Sequence, residues 1–179
     1  SFGGYVAVNY VEHHGTKDIA GVLLVGSNPG MLPPPTDPAV KAQMDAMRAA
    51  NANRLPDIEA GIAEGHGFVK IMTARPAPAD MADIMFATNQ MLPAYARRAM
   101  SRRSLQADAV VPRMTTTTLL LVGEKDGSQS VAVLGDLASR LPDGRLKVMP
   151  GAGHAAFIDS PQEFDDALRE FEAYAATRR

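Results

Sequence analysis

The sequence predicts an α/β fold built on a parallel sheet, from two apolar strand-like runs and the amphipathic helices spaced between and after them. Ile19 to Gly26 is a near-continuous apolar run with branched residues and a glycine stop. That is how a strand buried on both faces reads. Thr115 to Val122 returns to the same character, with four threonines ahead of Leu-Leu-Leu-Val. The branched Cβ of threonine favours extended backbone.

Taken in order, Ser1-Phe2-Gly3-Gly4-Tyr5 reads as a sharp turn leading into a helix. Small residues at Gly3 and Gly4 let the backbone pass closely there. The helix runs from Phe2 to His13, with Gly3, Ala7 and Tyr10-Val11 on its inner side and Gly15 as its stop. His13 and His14 suit the negative end of the helix dipole as caps or surface groups. After the first strand, Ser27-Asn28-Pro29-Gly30 turns the chain, and Pro33-Pro34-Pro35 carries it stiffly away.

From Asp37 to Met114 the chain is mostly helical and rich in methionine. Val40, Met44 and Met47 form one apolar stripe on a helix from Pro38 to Asn51. Leu55 to Ile62 fits a shorter helix that Gly61, Gly65 and Gly67 loosen. Phe68 to Met72 fits a strand or a helical turn equally. Ala79 to Asn89 and Pro93 to Arg103 are two further helices. The block reads as an insertion or lid, and methionine adapts to varied apolar shapes.

Beyond the second strand, Ser128 caps a helix to Leu141, with Val131, Leu134 and Leu137-Ala138 inward. Arg145 to Met149 is a short strand, left through Pro150-Gly151-Ala152-Gly153-His154. Ser160, Pro161 and Glu163 form a capping box that opens the last helix. Its buried stripe is Phe164, Leu168, Phe171 and Ala175.

At 179 residues, with 46% hydrophobic and 21% charged residues, the chain is long enough for a real core. A net charge of -2 makes nucleic acid a poor partner, the arginines at 97, 98, 102 and 103 notwithstanding. There is no cysteine, so disulfides and thiol nucleophiles are excluded. No apolar run is long enough to span a membrane.

Ser1, Asp126 and His154 thus come in order, one on a turn into a helix and the others following predicted strands. A hydroxyl needs a base to take its proton, and the base needs a carboxylate to hold its tautomer. Glu124 and Asp159 are the other carboxylates near these loops. His66 beside Glu64 has no evident third partner for a metal. Arg54, Arg97 and Arg98 read as solvated.

These residues resemble the C-terminal part of an α/β-hydrolase-fold serine hydrolase, from the nucleophile onward. Ser1-Phe2-Gly3 is similar to the end of the family's Gly-x-Ser-x-Gly elbow. Leu120 to Asp126 is similar to its acid strand and loop, and Gly151-Ala152-Gly153-His154 to its histidine loop. The resemblance implies a sheet with helices on both faces and a helical cap insertion. Its divisions are 1–30 for the nucleophile helix and core strand, 31–114 for the cap, and 115–179 for the remaining core. It implies Ser1 as nucleophile, His154 as base, Asp126 as acid and the Phe2 amide as an oxyanion donor, with no metal or organic cofactor.

The implied substrate is a carboxylic ester or related acyl compound with a hydrophobic portion. Amidase, acyltransferase, cofactor-free peroxidase and C–C hydrolase chemistry stay open, as does a non-catalytic binding or receptor member. The family's earlier strands and second oxyanion donor are not in this sequence. The resemblance therefore implies an N-terminal partner segment of roughly 80 to 130 residues, and cleavage before Ser1, by the serine itself, would account for a two-chain protein.

Overall fold

The computed structural model describes residues 2–32, 38–39, 41–42, 45–46, 49, 58–93, 95–96, 99 and 107–178. Its helices are α1 (Gly3–His14), α2 (Ile58–Met72), α3 (Ala79–Gln90), α4 (Val131–Arg140), α5 (Ala156–Asp159) and α6 (Pro161–Ala176). A 3-10 helix covers Asp108–Arg113. The strands are β1 (Val22–Val25), β2 (Thr118–Gly123) and β3 (Gly144–Met149), all parallel in the order β1-β2-β3. Their C-terminal ends therefore share one edge, where loops of such sheets gather.

Side-chain alternation decides which helix each strand meets. Val22 and Leu24 of β1, with Leu120 and Val122 of β2, join one buried cluster with Val8, Val11, Leu134 and Leu137. Those partners come from α1 and α4. Leu121, Met149 and Ala167 of α6 form a second cluster, to which Leu23, Val25 and Phe164 pack. The sheet thus carries helices on both faces. Leu120, Leu134 and Leu137 are fully buried, each contributing about 1.5–3 kcal/mol by leaving water.

β1 is shorter than the apolar run that predicts it. Ile19 and Ala20 turn their carbonyls to the Thr116 hydroxyl, 3.1 Å from each, so pairing begins only with the Val22 N–H to Thr117 carbonyl bond. The inner face of α1 is also rotated from the expected one. Gly4, Val8 and Val11 are buried, whereas Gly3 and Tyr10 are exposed. Gly4 is the reason, because a Cβ there would meet the Ser27 side chain, while no described atom lies within 4 Å at Gly3.

Two expected caps do not form. α4 starts at Val131 behind Ser130, not Ser128. Ser160 makes no side-chain cap on α6; its own N–H already donates to the Ala156 carbonyl at the end of α5, so Glu163 has no free donor to reach.

The chain divides into two compact units. One holds Ser1–Leu32, Ile71–Pro76 and Leu105–Arg179, the other Pro33–Lys70 and Ala77–Ser104. In the second, the glycines expected to loosen 61–67 lie within one continuous helix, α2. Packing overrides local propensity here: buried Gly65 lets Phe86 and Gln90 of α3 close in, and the His66 ring stacks on Phe86 at 4.2 Å. The Gln90 side chain also donates to the Gly61 carbonyl. The helix expected from 38 shows helical residues at 38, 39, 41, 42, 45, 46 and 49; Val40, Met44 and Met47 lie outside the described residues. Among the described residues no helix is long and apolar enough to cross a membrane.

Candidate active site

Two neighbouring strands deliver the central pair. β2 ends at Gly123, and the chain turns so that the Asp126 N–H donates to the Gly123 carbonyl at 3.1 Å. β3 ends at Met149 and leaves through Gly151, whose φ of +67° suits glycine. The two loops are laced together by backbone, with Glu124 N–H to Met149 carbonyl at 2.9 Å and Lys125 N–H to Ala152 carbonyl at 2.8 Å. Gly123 is indispensable to this approach, because a Cβ there would overlap the carbonyls of Ala152 and Gly153.

The result is a 2.8 Å contact between Asp126 Oδ2 and His154 Nδ1, with side chains 0% and 10% exposed. Asp126 Oδ1 accepts from the Ser128 N–H, the Ser128 hydroxyl and the Gln129 N–H at 2.8, 2.8 and 3.1 Å. Burial pushes the Asp126 carboxyl up, but these Ser128 and His154 hydrogen bonds, with the attraction to His154, outweigh it. The net pKa lies below the ordinary value. An ionised carboxylate only accepts, so Nδ1 must carry the proton and Nε2 keeps its lone pair. That is the tautomer a general base needs.

Ser128 and Gly26 belong to the site although the sequence suggested other roles for them. Instead of capping a helix, Ser128 brings Oγ within 2.8 Å of His154 Nδ1 while holding Asp126. The Asp126-Gly127-Ser128 triplet is the available signal, since Asp side chains commonly bond the backbone two residues on. Gly26 follows β1 with φ +50°; a Cβ there would stand 2.9 Å from His154 Nδ1 and Cε1, and 3.1 Å from Asp126 Oδ2. Its neighbour Ser27 packs on Gly4, so the start of α1 lies next to this same corner.

Ser1 lies outside the described residues. Phe2, given an oxyanion role by the resemblance, stands just ahead of α1. Of the other carboxylates, Glu124 accepts the Gly151 N–H at 2.8 Å and Asp159 those of Gly153 and Ala74; their printed bonds go to backbone, not to His154. Arg54, Arg97 and Arg98 lie outside the described residues. Among the described residues no cluster of three or more His, Asp or Glu could hold a metal.

Comparisons with known proteins bear on this arrangement. Among solved structures, the esterase RhEst1 from Rhodococcus sp. ECU1013 matches with TM-score 0.78 at 23% identity, over 96% of this chain and 62% of that one. MenH from S. aureus matches with TM-score 0.77 at 21% identity, over 98% and 66%. These likenesses are of fold. Over 61 residues the chain is 39% identical to the rat protein ABHD14B, to which protein-lysine deacylation is ascribed, covering 33% of this chain and 27% of that protein. The chain therefore spans about 62% of the length of the Rhodococcus esterase and a smaller share of the rat protein. The sequence pattern of the Alpha/beta hydrolase family matches residues 1–167. With that match over most of its length, the chain belongs to the alpha/beta hydrolase family.

Proposed function

We propose that the chain carries the nucleophile, base and acid of a serine hydrolase acting on a carboxylic ester or related acyl compound. The reading rests on one observation, the 2.8 Å pairing of buried Asp126 with Nδ1 of His154. Ser1 Oγ attacks the acyl carbon while His154 Nε2 takes the hydroxyl proton. The Phe2 amide steadies the oxyanion. His154 then returns the proton to the departing alcohol, leaving an acyl-serine. Water, deprotonated by the same nitrogen, releases the acid and restores Ser1. Asp126 keeps His154 in its tautomer and stabilises the imidazolium.

A hydrophobic portion of the substrate is suggested by the methionine-rich composition between Met31 and Met100. In the same proposal residues 31–114 form the cap. An N-terminal segment carrying earlier strands supplies the second oxyanion donor, and cleavage before Ser1 makes a two-chain protein. A second reading, hydrolysis of an acyl-amide, is favoured by the identity with ABHD14B.

Fluorophosphonate labelling and nitrophenyl-ester turnover of the full-length protein test the chemistry. Ser1→Ala should lose both, and His154→Ala should lose turnover. Near-normal rates in either variant would sink the assignment. If Ser1→Ala of the precursor still gave two chains by intact mass, self-cleavage would be wrong.

A further inference from the structure

Asp159 offers one carboxylate oxygen to two backbone donors. Oδ2 accepts the Gly153 N–H at 2.7 Å and the Ala74 N–H at 2.8 Å. Its main-chain carbonyl accepts from Arg75 Nη2 at 3.0 Å, and the Ala155 N–H donates to the Met72 carbonyl at 2.6 Å. The amides on either side of His154 are therefore both held, one by Asp159 and one by the strap at 72–75. Space enforces the same seating: a Cβ on Gly153 would stand 2.6 Å from Ala74 N and 2.8 Å from the Thr73 carbonyl carbon.

We propose that Asp159 is a positioning residue, locking the backbone of His154 between β3 and the 72–75 strap so that the imidazole needs no reorientation during turnover. The inference rests on the reading of His154 as the general base. Asp126 fixes the ring, but a ring bond alone leaves the backbone free to swing about it. Asp159 removes that freedom by satisfying Gly153 N–H where water is excluded. Two amide donors converging on one ionised oxygen are charge-assisted bonds, stronger than neutral ones. Asn at 159 keeps an accepting oxygen in the same place, whereas Ala keeps none.

The test is kcat and KM for a nitrophenyl ester in the full-length protein, with exchange of the His154 Nδ1 proton followed by NMR. Asp159→Ala should lower kcat by about 100-fold, the scale of a 1 Å misplacement, with KM within threefold and faster Nδ1 proton exchange. Asp159→Asn should restore most of kcat. Unchanged kcat and exchange in Asp159→Ala, with His154→Ala inactive, would overturn the inference and leave the base assignment standing. Near-normal turnover in His154→Ala would instead overturn that assignment. Should Asp159→Ala not fold, Asp159→Glu carries the test, with kcat lowered about 10-fold at held KM; wild-type kcat there would refute the inference.

Discussion

Gly26→Ala probes how tightly the base is seated. The new Cβ would lie 2.9 Å from both Nδ1 and Cε1 of His154, against an ordinary separation of about 3.5–4.0 Å. The imidazole must therefore retreat by roughly 0.6–1 Å, which ruptures its 2.8 Å bond to Asp126. The left-handed φ of +50° adds about 1–2 kcal/mol, and the overlap about 1–3 kcal/mol. A total near 2–4 kcal/mol lowers the melting temperature of a chain this size by roughly 4–15 °C. Misplacing the base lowers kcat by about 100-fold. Gly15→Ala is the control: its φ is +73°, and no described atom lies within 4 Å of the added carbon. It should lose stability and keep its kcat. The assays are thermal melting and ester turnover side by side. Wild-type kcat in folded Gly26→Ala would refute the reasoning, since the ring would then have tolerated the displacement.

Ser128→Ala removes a donor from Asp126, whose carboxyl is held below its ordinary value. A depressed folded pKa contributes stability above the unfolded value near 3.9, lost as pH falls toward the folded one. The variant should therefore be less stable at neutral pH by roughly 1–2 kcal/mol, and its Asp126 should protonate at a higher pH than wild type. Acid titration of unfolding checks this, and an unmoved acid limb would contradict it. Gly65→Ala sets a helix-propensity gain of about 1 kcal/mol against a Cβ 2.8 Å from the Phe86 ring. The clash should win, making the second unit easier to proteolyse; greater resistance would show that α3 can yield. Asp126→Asn should lower kcat by about 10,000-fold and leave the melting curve near wild type. Turnover within tenfold would exclude the orienting role.

The strands were legible because burial on both faces writes itself as unbroken apolar runs, as in Leu119 to Val122. The residues that end them, Asp126 and His154, could be singled out because each follows a predicted strand, and parallel pairing brings the two loops together. What failed was local inference that tertiary bonds override. Ser160 and Glu163 match a capping box, yet the N–H it needs is already engaged by α5. Gly61, Gly65 and Gly67 suggested a break, and packing against Phe86 kept the helix whole. Ser128 suited a helix start, but its hydroxyl serves Asp126. The demand on Gly26 was invisible because it comes from His154, 128 residues later in the chain.

The alternation of β2 also acts as a ruler. Leu120 and Val122 belong to one cluster and Leu121 to the other, while Leu121 pairs with Lys147 and Gly123 with Met149. Sliding β2 by one residue along β3 would turn every one of these side chains to the wrong face. It would also carry Asp126 about 3.3 Å along the strand direction, beyond reach of His154. The oily layers on either side of the sheet thus calibrate a proton-transfer distance that they never touch, and errors in packing register become errors in chemistry.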